Sequence, residues 1–156
     1  MNGRIVVGVD GSEASNKALS WALAEARLRG DTVVALHAWT APYPAPTALP
    51  GALLAPVEPG MAVEGGMAEA LRKGAEDMLA QAVSRAGPAD VMIEQRLVEA
   101  PAATALIEEA KGAELLVVGS RGHGGFAGLL LGSVSQQCAN HAPCPVVIVR
   151  VPEDDG

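Results

Sequence analysis

The sequence predicts an α/β domain, a parallel sheet with helices on both faces. Three observations predict it. Short runs rich in Val, Ile and Leu alternate with segments of helical spacing along the whole chain, the pattern of βαβ units. The 156 residues suit a single domain long enough to bury a core, with no internal repeat and no second domain. Hydrophobic residues make up 49% and aromatic ones only 3%, so the core is aliphatic, as is common where helices pack on parallel strands.

The first strand is Arg4 to Val9. Ser12 or Gly11 caps the next helix, where Leu19, Ala22, Leu23 and Ala26 recur at i, i+3, i+4, i+7 before Gly30-Asp31 stops it. Thr32 to Trp39, rich in β-branched residues, is the second strand. From Thr40 to Gly66 the periodicity vanishes, and six of the eleven prolines fall there. Proline withholds a backbone donor, so this stretch is expected as a long mobile loop, a feature with functional weight in a compact domain. Helical spacing resumes through Leu71, Met78, Leu79, Ala82 and Ala86 and ends at Gly87-Pro88. Val91 to Val98 is the third strand. Pro101 fits the first turn of a third helix, with Ala103, Leu106, Ile107 and Ala110 inward and Gly112 as its stop. The fourth strand, Glu114 to Val118, runs into a glycine-rich segment and a helix from Ser133 to about His141. Val146 to Val151 is the last strand of a domain spanning 1–152, with residues 153–156 as an acidic tail.

Composition excludes several classes of function. The formal net charge is −7, without the basic face that nucleic-acid binding requires. No apolar stretch approaches the ~18 residues of a membrane span. The opening MNGRIVVGVDGS lacks the form of a signal peptide, its apolar run being broken at Gly8 and followed by Asp10. Cys138 and Cys144 fit no metal spacing and read as small core hydrophobes, so a reducing cytoplasm is the expected compartment.

The chemistry concentrates between Val117 and Asn140. Gly119 and Gly122 permit close backbone approach and positive φ, and a helix then begins at Gly132-Ser133. A helix start offers unpaired N–H groups and the positive end of a dipole, and Ser133 and Ser135 add hydroxyls. Such a combination holds phosphate without a lysine. Parallel sheets bind ligands at the carboxyl ends of strands where the order reverses. If the first and fourth strands are neighbours, Asp10 faces the glycine segment, to bond an adenine amino group, a ribose hydroxyl or a metal ion. Its alternative role is to cap the first helix. Arg121 either reaches a phosphate or is a solvated loop charge, and His123 is a loop residue rather than a catalyst. Trp39 lies near a base or plugs the sheet end, while Phe126 with Leu129, Leu130 and Leu131 packs the loop. No metal site is legible, since His37, His123 and His141 share no ligand spacing.

Gly119-x-x-Gly122, nine residues and Gly132-Ser133, followed by Val134-Ser135-Gln136-Gln137, resembles the ATP-binding signature of the universal stress proteins. The opening Ile5-Val6-Val7-Gly8-Val9-Asp10-Gly11-Ser12 and the Pro145-Val146-Val147 start of the last strand are similar to that family as well. The resemblance implies its ATP-binding branch and a Rossmann-like (adenine nucleotide alpha hydrolase-like) domain with a five-stranded sheet of order 3-2-1-4-5. It places Val9, Asp10 and the Ala38 backbone on the adenine side, and Gly119 and Gly122 by the ribose and α-phosphate. Gly132, Ser133, Val134 and Ser135 fall on the phosphates, bridged by Mg or Mn held mainly by phosphate and water. It further implies a homodimer through residues 146–151.

The expected function is therefore a nucleotide-dependent regulator in the stress response, without catalytic residues. The alternatives are a slow ATPase or autophosphorylating protein, or an AMP or cyclic AMP binder on the same scaffold. Phosphoryl transfer usually places a Lys or Arg on the terminal phosphates, and the cradle offers Arg121 alone, so any hydrolysis is weak. A dinucleotide dehydrogenase fails on its fingerprint, because Gly8-Val9-Asp10-Gly11-Ser12-Glu13 is not G-x-G-x-x-G, and the chain has no P-loop motif.

Overall fold

Five parallel strands form one sheet in the order β3-β2-β1-β4-β5: β1 (Arg4–Gly8), β2 (Thr32–Trp39), β3 (Ile93–Glu99), β4 (Leu115–Gly119) and β5 (Val146–Val149). The structure is a computed structural model that describes residues 3–41, 63–87, 90–122 and 131–151. Four helices connect the strands: α1 (Glu13–Arg29), α2 (Val63–Arg85), α3 (Ala102–Glu109) and α4 (Ser133–His141). The predicted class and strand order both hold.

The three central strands β2, β1 and β4 are apolar on both sides because each side of the sheet carries helices, whereas the edge strand β3 exposes Glu94 and Gln95. Ile5, Val7, Val33, Ala35, Leu115 and Val117 pack with Leu19, Leu23 and Ala26 of α1 and Leu79 and Ala82 of α2. Val6, Val34, Leu36, Leu116 and Val118 face Ala105 and Leu106 of α3 and Cys138 of α4. Each fully buried Val, Leu or Ile contributes roughly 1.5–3 kcal/mol relative to exposure. Alternate residues of one strand thus serve opposite cores, which produces the continuous apolar runs in the sequence.

The helix ends follow from local chemistry. Ser12 caps α1, its side chain accepting the Ser15 N–H at 3.2 Å. Gly30 ends that helix in the left-handed region at φ 73°, and the Asp31 N–H donates to Ala26 O at 3.0 Å. At the other end of the sheet, Arg4 donates to the last carbonyl of α3, Glu109 O at 3.0 Å, and to Lys111 O just beyond it at 2.7 Å. Arg4 and Arg96 also meet on Glu109 Oε1, at 2.8 Å each, tying α3 to β1 and β3.

Several boundaries differ from expectation. Helix α2 begins at Val63, so residues 63–66 of the expected loop are helical despite Gly65-Gly66; the rest of the expected loop, apart from Thr40 and Ala41, lies outside the described residues. Leu71 faces solvent, 41% exposed, whereas Leu79 and Ala82 carry the packing of α2. Pro101 stands at the cap of α3, one position earlier than expected. Strand β3 is shifted to Ile93–Glu99, and β5 ends at Val149 rather than Val151. The acidic tail lies outside the described residues.

The chain adds β2 and β3 on one side of β1, then crosses to add β4 and β5 on the other, with α1 and α2 on one face of the sheet and α3 and α4 on the opposite face. The winding reverses between β1 and β4, which pair directly through Val6↔Leu116 and Val7↔Val117. That reversal opens a crevice at their carboxyl ends.

Candidate functional site

A cavity of about 380 Å³ occupies the crevice. All ten residues expected at a binding site line it: Val9, Asp10, Ala38, Gly119, Arg121, Gly122, Gly132, Ser133, Val134 and Ser135. The wall also includes residues to which sequence reasoning gave no binding role, among them Ser12, Ser15, Leu36, His37, Leu106 and Val118. Leu36, Leu106 and Val118 were legible only as core. In the sequence, His37 is legible only as one of three histidines without ligand spacing.

On the β1 side, Asp10 holds the turn that carries the Ser12 cap as well as a place on the cavity wall. Its Oδ1 accepts the Ser12 N–H at 2.9 Å, and its own N–H donates to Ser15 Oγ at 3.2 Å. The turn between them uses Gly11 at φ 82°. Ser15 Oγ in turn donates to Ser12 O at 3.1 Å. Asp10 Oδ2 lies so close to Gly122 that any Cβ there would collide with it. Gly122 is the space in which this carboxylate sits.

The other two glycines of the signature differ. A Cβ on Gly119 would stand 2.7 Å from Ala14 Cβ and 2.8 Å from the Ala14 carbonyl carbon, so Gly119 lets the first turn of α1 pack on β4. On Gly132 the nearest atoms would be Arg121 Cα at 3.4 Å and Ser120 O at 3.5 Å, ordinary contacts. None of the three uses positive φ; of the two freedoms expected of them, Gly119 and Gly122 use close approach.

Helix α4 opens toward the cavity without a side-chain cap, in contrast to α1. The first-turn N–H groups of a helix have no intrahelical acceptors, and the positive end of the dipole lies with them. Ser120 O fixes the approach by accepting the Gly132 N–H at 2.6 Å. The Ser135 hydroxyl, expected to face phosphate, is buried instead and directed at Ser120 O (2.9 Å) and Gly132 O (3.0 Å). Its single proton is shared between these two carbonyls. The Ser133 hydroxyl is exposed and accepts from Gln137 Nε2 at 3.1 Å.

Among the described residues, the wall carries one carboxylate, Asp10, one guanidinium, Arg121, and no lysine. No cluster of three or more His, Cys, Asp or Glu side chains there could hold a metal ion. Among the described residues, no helix is long and apolar enough to cross a membrane. Trp39 is half-buried and does not line the cavity, although its neighbour Ala38 does. His123, Phe126, Leu129 and Leu130 lie outside the described residues. Both cysteines are free; burial pushes the Cys138 thiol up to about 11 and raises that of Cys144.

The profile of the Universal stress protein family matches residues 1–150. A universal stress protein of Mycobacterium tuberculosis is 39% identical over 152 residues, covering 96% of this chain and 44% of its own length. The chain thus spans about half the length of the curated relatives it matches. The structure of a universal stress protein from Lactobacillus plantarum superposes with a TM-score of 0.74 at 21% identity, over 95% of this chain and 97% of that one. A universal stress protein solved in complex with cAMP is 28% identical, with a TM-score of 0.57 over 96% of this chain and 97% of that one.

Proposed function

This chain belongs to the universal stress protein family, and from that premise we propose that it binds ATP in the β1–β4 crevice and acts as a nucleotide-dependent regulator in the stress response. One observation carries the reading. The uncapped start of α4 faces the same cavity as Asp10 and the Ala38 backbone, with an apolar wall of Leu36, Leu106 and Val118. Helix N–H groups suit phosphate oxygens, and an apolar wall bordered by backbone polar groups suits a purine.

In this reading Val9, Asp10 and Ala38 take the adenine side, and Gly119 and Gly122 the ribose and α-phosphate. Gly132, Ser133, Val134 and Ser135 present backbone N–H groups to the phosphates, with Arg121 reaching toward them. Mg or Mn supplies charge neutralisation when bound. The single wall carboxylate suits an ion held by phosphates and water rather than by a protein cage. The protein acts in the cytoplasm, as two free cysteines suit, and pairs with a second copy through its last strand.

Cyclic AMP or AMP in the same site is a second reading, supported by the relative solved with cAMP. Catalysis remains at most a slow ATPase, because Arg121 is the only Lys or Arg on the described wall. Denaturing freshly purified protein and identifying the released nucleotide by mass spectrometry tests the reading. ATP is expected; release of AMP or cyclic AMP alone favours the second reading.

A further inference from the structure

Bonding between β1 and β2 changes partner at the edge of the cavity. Along β2, alternate residues direct their backbone groups toward β1. The Thr32 N–H donates to Gly3 O at 3.0 Å, and Leu36 O accepts the Val9 N–H at 2.8 Å. The intervening residues bond toward β3, as in Val33 N–H to Met92 O at 2.9 Å and Trp39 O from the Ala100 N–H at 3.0 Å. By this alternation, the next bond toward β1 belongs between the Ala38 N–H and Val9 O. Val9 O is instead met by His37 Nδ1 at 2.7 Å. A carbonyl only accepts, so Nδ1 carries the proton. Pairing with β1 ends at Gly8↔Leu36, so the Ala38 N–H and C=O, which by the alternation face β1, lie beyond the last β1 partner, and Ala38 lines the cavity.

We propose that His37 is a positioning residue that sets base selectivity: by taking the Val9 carbonyl it ends the β1–β2 ladder early and leaves the Ala38 N–H and C=O as a donor–acceptor pair for adenine. The proposal rests on the adenine-nucleotide reading of the cavity. Adenine presents a matching pair, an acceptor at N1 and a donor at its exocyclic amine. Hypoxanthine presents the reverse, a donor at N1–H and an acceptor at O6. A site with these two backbone groups exposed therefore favours ATP over ITP. Without the imidazole, the Ala38 N–H closes onto Val9 O and the donor is lost to the ladder.

Three ligands separate base from phosphate recognition: ATP, ITP and inorganic tripolyphosphate, titrated calorimetrically into wild type, His37→Leu and His37→Asn. The Leu variant is expected to lose about tenfold of the preference for ATP over ITP, the worth of one hydrogen bond. Its tripolyphosphate affinity stays unchanged. The Asn variant, whose amide can donate to Val9 O, restores the preference. Hydrogen exchange in the wild type needs no variant and keeps the test decisive if His37→Leu fails to fold. The Ala38 amide is expected to exchange freely without ligand and to gain protection with ATP but not with tripolyphosphate. A Leu variant with the wild-type preference, or an Ala38 amide already protected without nucleotide, overturns the proposal. A wild type that binds tripolyphosphate but no adenine nucleotide overturns the reading of the cavity itself.

Discussion

Gly119, Gly122 and Gly132 share one motif but answer to different neighbours. Gly119 makes room for Ala14, and Gly122 for the Asp10 carboxylate, whereas no protein atom crowds the missing side chain of Gly132. Gly119→Ala is accordingly expected to destabilise the fold by about 1–3 kcal/mol through overpacking. Gly132→Ala costs less than about 1 kcal/mol, yet weakens ATP binding at least tenfold where its methyl meets phosphate. Urea denaturation and calorimetric titration of both variants check the contrast; a Gly132→Ala protein with wild-type affinity contradicts it. The motif spacing was legible in the sequence. The reason for each glycine was not, because Ala14 and Asp10 reach it from the opposite end of the chain. His37 stayed hidden for a similar reason: only strand pairing brings it to the Val9 carbonyl.

Cys138 makes a pH prediction at the same scale. Burial raises its thiol to about 11 from an ordinary value of 9.0. The native state therefore favours the neutral thiol, a contribution fully present below pH 9 and lost as pH rises through about 11. Wild type is expected to lose stability on the order of 2 kcal/mol more than Cys138→Ala across that window. Parallel pH dependences of the two urea midpoints contradict this.

Among the elements, β2 and α4 were legible to the residue, because β-branched runs and the Gly-Ser junction mark their ends. Strand β1 is one residue shorter than the apolar run, since His37 takes the Val9 carbonyl from the ladder. The start of α2 was illegible: Gly65 and Gly66 each disfavour helix by roughly 1 kcal/mol, and the sequence alone gave no sign of a start at Val63. Strand β5 is the element with the clearest consequence for assembly. It lies at the sheet edge, packing Val147 and Val149 toward one core and Val146 and Ile148 toward the other. All four residues are half-buried in the single chain. An apolar edge of this kind invites pairing, and a two-fold axis beside it pairs β5 with its own copy. The protein is expected to be a dimer by light scattering, and Val149→Lys to halve the mass. A monomeric wild type, or a dimer indifferent to the substitution, contradicts the interface.

Over the whole molecule, a net charge of −7 opposes binding a polyanion, so the local field of the crevice must outweigh it. The fold supplies that field by topology. The reversal of winding between β1 and β4 brings the uncapped start of α4 and Arg121 to one side of a cavity and the Ala38 backbone to its wall. Asp10 comes with them, held by the turn that caps α1. With one arginine and no lysine on the described wall, the role proposed for the arrangement is holding a nucleotide rather than transferring its phosphate. Calorimetric titration of nucleotide-free protein with ATP, with and without Mg²⁺, tests this most directly. The account predicts saturable binding of one ATP per chain; absence of binding by ATP, AMP and cyclic AMP at millimolar concentration would contradict it.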